Sequence, residues 1–212
     1  MEKLLKFLLW TVGIAILLGG IGRAFLFETW TVPEGSWIAA SMAPTLAGGD
    51  LVLVSSVGEP GFGELARCYD PEDQSKFVAG RISGLGGDLV ELQGPILTVN
   101  GFRYTATEAC KEAQLTAEHP NTGNEVTLHC TRVEMGGSWH FRATLGKRSK
   151  NDDVSKKVGD GRVYLLSDNR DIHDDSRDFG TIPQESCTGR IFFRLWGKEG
   201  WLDSERRMTL IR

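Results

Sequence analysis

The chain has 212 residues and a net charge of −4, with no basic stripe interleaved with aromatics, so nucleic acid is excluded as a partner. Its 26 glycines and scarce helical periodicity exclude an all-helical protein. The four cysteines, at 68, 110, 130 and 187, lack Cys-x-x-Cys spacing, which excludes a metal centre of that pattern.

Residues 7–22 are uncharged, and Ala24–Phe27 extend the run past Arg23 to about 21 residues. At roughly 1.5 Å per residue such a helix matches the ~30 Å hydrocarbon layer. The segment reads as an N-terminal transmembrane anchor over residues 1–28, with a cleaved signal peptide or a buried core helix as alternatives. Lys3 and Lys6 place its short N-terminal tip in the cytoplasm, and Arg23 sits where it can snorkel.

Residues 29–212 fit one mostly β domain. Glu28–Pro33 is extended in character, and residues 36–46 are turn-rich and uncharged. Short β-branched and apolar runs follow at 50–54, 77–82, 89–92, 96–99, 125–128, 163–166 and 190–193, punctuated by Gly and Asn. Residues from about 100 to 160 are polar and read as an inserted β subdomain. Asn100-Gly101 marks a hairpin and 121–124 a second turn. Residues 147–160 read as an exposed charged loop, and the tail ends in a strand. Outside the cytoplasm, Cys110 and Cys130 are the favoured disulfide, while Cys68 and Cys187 are either a second bridge or two buried thiols.

Eight of the fourteen residues from Ser167 to Gly180 are charged or titratable. Such density of Asp and Arg after an apolar strand reads as a scaffold of ion pairs holding a site. Ser167-Asp168-Asn169-Arg170-Asp171-Ile172-His173-Asp174-Asp175-Ser176-Arg177 resembles the Asp/Arg box of the bacterial type I signal peptidases. Ser41-Met42-Ala43-Pro44-Thr45-Leu46 resembles their nucleophile box, and Arg81, Gly84, Leu85, Gly87 and Asp88 fall on a third motif. The likeness covers nearly the whole chain. It implies a membrane-anchored, signal-peptidase-like β domain on the outer (periplasmic) side of the bacterial cytoplasmic membrane. There it would cut signal peptides from secretory preproteins after small-x-small motifs, near membrane lipid and the export machinery, with no cofactor and no metal. Ser41 takes the nucleophile's role, Arg81 pairs with Asp168, and Asp175 with Arg177. Pro33-Glu34-Gly35-Ser36 also resembles the start of the nucleophile box and makes Ser36 a rival.

Three positions depart from the family pattern. The catalytic Lys falls on Gly80, which takes up no proton, and Lys76 is too far along the strand to replace it. Arg81 points to the opposite face and stays protonated. Ala39 replaces a hydroxyl that assists the oxyanion, and His173 replaces the Ser beside that Lys. Loss of the Lys side chain and gain of an imidazole read as one change, with His173 as a relocated general base and Asp171, Asp174 or Asp175 as its orienter. The alternatives are a surface-loop histidine and a non-catalytic homologue that binds preproteins or serves as a scaffold. Trp30, Trp37, Phe25 and Phe27 form either a membrane-interface patch or part of the core.

Overall fold

In the computed structural model, the β-branched runs singled out above all become strands. It describes residues 2–146 and 153–212, excepting the side chains of residues 2, 16, 18 and 21–25. In chain order the elements are α1 (Glu2–Phe25), β1 (Phe27–Thr31), the short helix α2 (Trp37–Ser41), β2 (Leu51–Ser55), β3 (Leu65–Tyr69), β4 (Phe77–Gly84), β5 (Leu89–Gln93), β6 (Ile96–Val99), β7 (Phe102–Tyr104), β8 (Ala106–Glu118), β9 (Glu125–Met135), β10 (Ser138–Thr144), β11 (Val154–Lys157), β12 (Arg162–Leu166), β13 (Ile182–Pro183), β14 (Cys187–Trp196) and β15 (Thr209–Leu210).

The main sheet runs β1-β2-β14-β3-β4-β12-β13, with β15 added to β14. Strand β2 alternates in burial because one of its faces packs inward, whereas β3, β4 and β12 are buried on both faces. One core cluster joins Ile38, Met42 and Leu46 to Val52, Val54, Leu65 and Ala79. On the other face of β4, Val78 and Ile82 join Val163, Leu165 and Ile182.

The stretch read as an insertion is divided between two smaller sheets. One is β10-β9-β8; the other is β11-β5-β6-β7 and unites strands on both sides of residue 100. Asn100 and Gly101 both have positive φ, 51° and 81°, and turn β6 into β7 as the sequence predicts. The β9–β10 turn is pressed against the turn before β3: a Cβ added to Gly136 would lie 2.2 Å from the Phe62 carbonyl oxygen, so only glycine fits there.

Three expectations change. Residues 36–46 contain α2, capped by Ser36, whose Oγ accepts from the Ala39 amide at 3.3 Å and donates to the Pro33 carbonyl at 2.7 Å. Within 147–160, residues 147–152 lie outside the described residues, and Val154–Lys157 is a strand paired with β5 rather than a loop. Among the described residues no helix is long and apolar enough to cross a membrane, so the expected transmembrane crossing is not seen. The core-helix alternative also fails, since Leu4, Phe7, Leu8, Trp10, Val12 and Leu17 of α1 are exposed. The Arg23 side chain lies outside the described residues.

All four cysteines pair. Cys68 and Cys187, directly opposed on β3 and β14, form one disulfide, and Cys110 and Cys130 of β8 and β9 form the other. The second bridge is the pairing favoured from sequence, and for the first the buried-thiol alternative is set aside.

Candidate active site

Ser41 closes α2 and is 1% exposed. Its Oγ donates to the Ile38 carbonyl at 3.3 Å. Asn169 clamps this segment to the Asp/Arg box: its amide donates to Ser41 O at 2.8 Å and its Nδ2 to Ala40 O at 3.0 Å. The Asn169 Oδ1 in turn accepts from the amides of Asp171 and Ile172, which fixes the clamp's rotamer. Four residues on, the Thr45 hydroxyl donates to Asp168 Oδ2 at 2.5 Å. The two motifs, 123 residues apart at that contact, are therefore one unit in space.

Asp168 is fully buried. Burial alone would raise its carboxyl, but Arg81 and the Thr45 hydroxyl hold it below the usual carboxylate range. Arg81 reaches it through two parallel bonds, Nε–Oδ1 at 2.8 Å and Nη2–Oδ2 at 2.7 Å. Asp175 and Arg177 form a second bidentate pair, at 2.9 and 2.8 Å. Asp175 also accepts the Ser167 amide, and although burial opposes it, Arg177 and these bonds bring its carboxyl down to about 2.

His173 is placed less simply. Its Nδ1 lies 2.8 Å from Asp178 Oδ2, and no hydrogen bond joins it to Ser41. The carboxylate bonded to the ring is thus none of the three aspartates picked from sequence. Asp171 accepts the Leu145 amide at 2.6 Å, Asp175 is committed to Arg177, and Asp174 offers its amide to Ser167 Oγ. A turn in which the Asp178 amide donates to Asp175 O folds the carboxylate back to the ring. One donor each from His173, Asp175 and Asp178 lie within 4.8 Å of one another, the geometry of a cation site, but Arg177 occupies both Asp175 oxygens.

Gly80 does not vacate space beside His173. A Cβ there would meet Leu165, whose own Cβ is 2.9 Å away. Alternation along β4 sends Ala79 to the cluster with Met42, and sends Gly80 to the opposite face with Val78 and Ile82. Lys76 is exposed and paired with Asp73 at 3.0 Å.

Asp174 has the contrary environment to Asp175. Burial, then the carboxylates of Asp178, Asp70, Asp175 and Glu72, push it up to about 6. A carboxyl raised in the folded state binds its proton more tightly there than in the unfolded chain. Stability from this group therefore falls as pH rises from about 4 to about 6, then levels. Asp174→Asn is expected to flatten that slope and to raise the melting temperature at pH 7 but not at pH 4; thermal unfolding at both pH values checks it.

Sequence reasoning missed a further buried assembly. Asp50, fully buried, accepts from Arg194 Nε at 2.9 Å, Arg206 Nη2 at 2.6 Å and the Ala47 amide at 2.9 Å. Arg194 also donates to the Thr45 carbonyl, so the end of the Ser41 segment is held from two sides. The only signal was Gly49-Asp50 following the motif.

Known proteins resemble this chain along most of its length. A signal peptidase I of Pseudomonas fluorescens is 29% identical over 198 residues, covering 80% of this chain and 65% of that protein, so the match spans just under two thirds of the relative. A signal peptidase IB of Staphylococcus aureus (strain COL) is 26% identical over 196 residues, 88% of each chain. The solved structure of a signal peptidase I from Enterococcus faecalis V583 matches with a TM-score of 0.39 and 22% identity, over 64% of this chain and 99% of that one. The family model described as signal peptidase, peptidase S26, runs from residue 4 to residue 196, from α1 to the end of β14, and by that extent this chain belongs to the signal peptidase family.

Proposed function

We propose that the protein is a membrane-anchored serine endopeptidase that removes signal peptides from exported preproteins after small-x-small motifs, with Ser41 as nucleophile. The observation that supports this is the clamp by which Asn169 and Asp168 hold Ala40, Ser41 and Thr45 against the Asp/Arg box. A serine hydroxyl needs a base to take its proton before it attacks a carbonyl. His173, four to five residues beyond the clamp and oriented by Asp178, is that base in this proposal. Its action requires Ser41 Oγ to leave the Ile38 carbonyl and the 172–174 segment to close on it.

The anchor belongs to the same reading. The apolar side chains of α1 are exposed, which suits lipid better than water, and four paired cysteines suit an oxidising compartment outside the cytoplasm. Substrates would then be secretory preproteins reaching the outer face of the cytoplasmic membrane, close to the export machinery.

A second reading, a homologue that binds preproteins without cutting them, is favoured by the buried Ser41 hydroxyl and by Leu165 filling the space at Gly80. Cleavage of a preprotein carrying an Ala-x-Ala site separates the two. The endopeptidase reading expects cleavage by wild type, none by Ser41→Ala, and a loss of about 10²–10⁴ in rate for His173→Ala. Unchanged cleavage by His173→Ala removes the histidine from the mechanism. Preprotein binding with neither cleavage nor reaction of Ser41 with an acylating inhibitor establishes the second reading.

A further inference from the structure

A cleft of about 480 Å³ opens beside the Ser41 segment, with Thr45 and His140 on its floor. The β8–β9 disulfide, Leu115, Trp139, Arg194 and Arg206 also line it. That volume suits a small ligand or a few residues of an extended chain.

Its charge is one-sided. Lys111, Arg194, Arg206 and Arg212 line it against only Glu112 and Glu205. Arg194 and Arg206 share the single carboxylate of Asp50, which leaves that triad positive. Lys111 is exposed and has no ion-pair partner among the described residues, and the Arg212 guanidinium lies 5.3 Å over the Trp139 ring.

The ground behind the floor is positive too. His140 is 2% exposed; its Nε2 has no hydrogen-bond partner and stands 3.9 Å from Asp168 Oδ1, beyond bonding distance. Three cations, Arg81, Arg170 and Arg142, bear on this ring against the one carboxylate of Asp168. Among the described residues Arg142 and Arg170, 7% and 4% exposed, bond only backbone carbonyls, and the Nε of each is buried without a partner. Asp168 pairs with Arg81 and, with Asp175, also bears on Arg170, so few carboxylates serve several buried cations and a further anion nearby is favourable.

We propose that this cleft binds a carboxylate carried on a polypeptide, forming a subsite for acidic segments beside the Ser41 motif. That the carrier is polypeptide rests on the proposed function; the carboxylate chemistry does not. Aromatic and aliphatic walls at Trp139 and Leu115 give backbone and side chains something to pack on, which a bare inorganic anion would not use.

The test measures binding of dye-labelled hexapeptides to the full chain in detergent, carrying Ser41→Ala so that nothing is consumed. One peptide carries Asp and Glu with a blocked C-terminus, one has Asn and Gln in their place with the same block, and one is that amide peptide with a free C-terminal carboxylate. Tighter binding of the first than of the second supports the proposal with an acidic side chain as the source. Tighter binding of the third than of the second supports it with a chain terminus as the source. Lys111→Glu is expected to weaken the preferred peptide about tenfold, and Lys156→Glu, on exposed β11, to leave it unchanged. Equal binding of all three peptides, or no effect of Lys111→Glu, overturns it. So does competition by inorganic phosphate or acetate as strong as by the acidic peptide, which would mark an adventitious ion only. Preprotein cleavage by the wild type is scored separately, so failure of the subsite and failure of the peptidase reading give different results.

Discussion

Asp168→Ala is expected to cost about 3–5 kcal/mol of folding stability, the range for breaking one side of a buried ion pair. The change strands Arg81, whose side chain is 1% exposed and whose other described bond is to the Gly63 carbonyl. It also takes away the acceptor of the Thr45 hydroxyl, so the Ser41 segment loses one of the three hydrogen bonds that tie it to the Asp/Arg box. For a chain of this size such a loss lowers the melting temperature by roughly 6–20 °C. Urea unfolding of Asp168→Ala beside Arg81→Leu/Asp168→Leu gives a sharper comparison. The double variant removes both charges together and is expected to recover part of the loss. If Asp168→Ala matched the wild type, the pair would not be holding the two motifs together.

Gly80→Lys, which restores the side chain found in the family pattern, is expected to destabilise the protein by about 4 kcal/mol or more and to add no cleavage. Its Cβ would stand 2.9 Å from Leu165 Cβ, an atom fixed to the backbone of a fully buried residue. Overpacking of this kind costs about 1–3 kcal/mol. The amine would then enter the cluster of Val78, Ile82, Val163 and Ile182, and burying an unpaired charge costs several kcal/mol more. Gly80→Ala isolates the steric part and is expected to lie in the lower range. A Gly80→Lys protein that melts like the wild type and cuts preproteins faster would mean that the lysine position does face Ser41.

The strands were legible because alternation survives wherever one face of a sheet packs inward, as in β2 and β6. The two motifs were legible as contiguous words, and the pairs Arg81–Asp168 and Asp175–Arg177 came with them. What spacing does not encode is where a loop doubles back. Asp178 reaches His173 because the turn at 175–178 closes, and nearer aspartates are drawn off by Leu145 and Arg177. Asp50 collects arginines 144 and 156 residues away, a contact set by the order of strands in the sheet and invisible in any local window. The direction of Gly80 was hidden for another reason. Its face is decided by Leu165 on a neighbouring strand, while the sequence shows only that a side chain is missing.

The Cys68–Cys187 bridge closes a loop over 119 positions of sequence, and Cys110–Cys130 closes a smaller one inside it. Both of the smaller sheets and the whole Asp/Arg box lie within the larger ring, whereas Ser41 lies on the arm outside it. A protease that nicks the backbone anywhere between β4 and β13 therefore leaves the two fragments tethered, and a cut in the 121–124 turn leaves them tethered twice. The ring lets a clipped chain persist as a single covalent body, its halves parting only when the disulfides that span the cut are reduced.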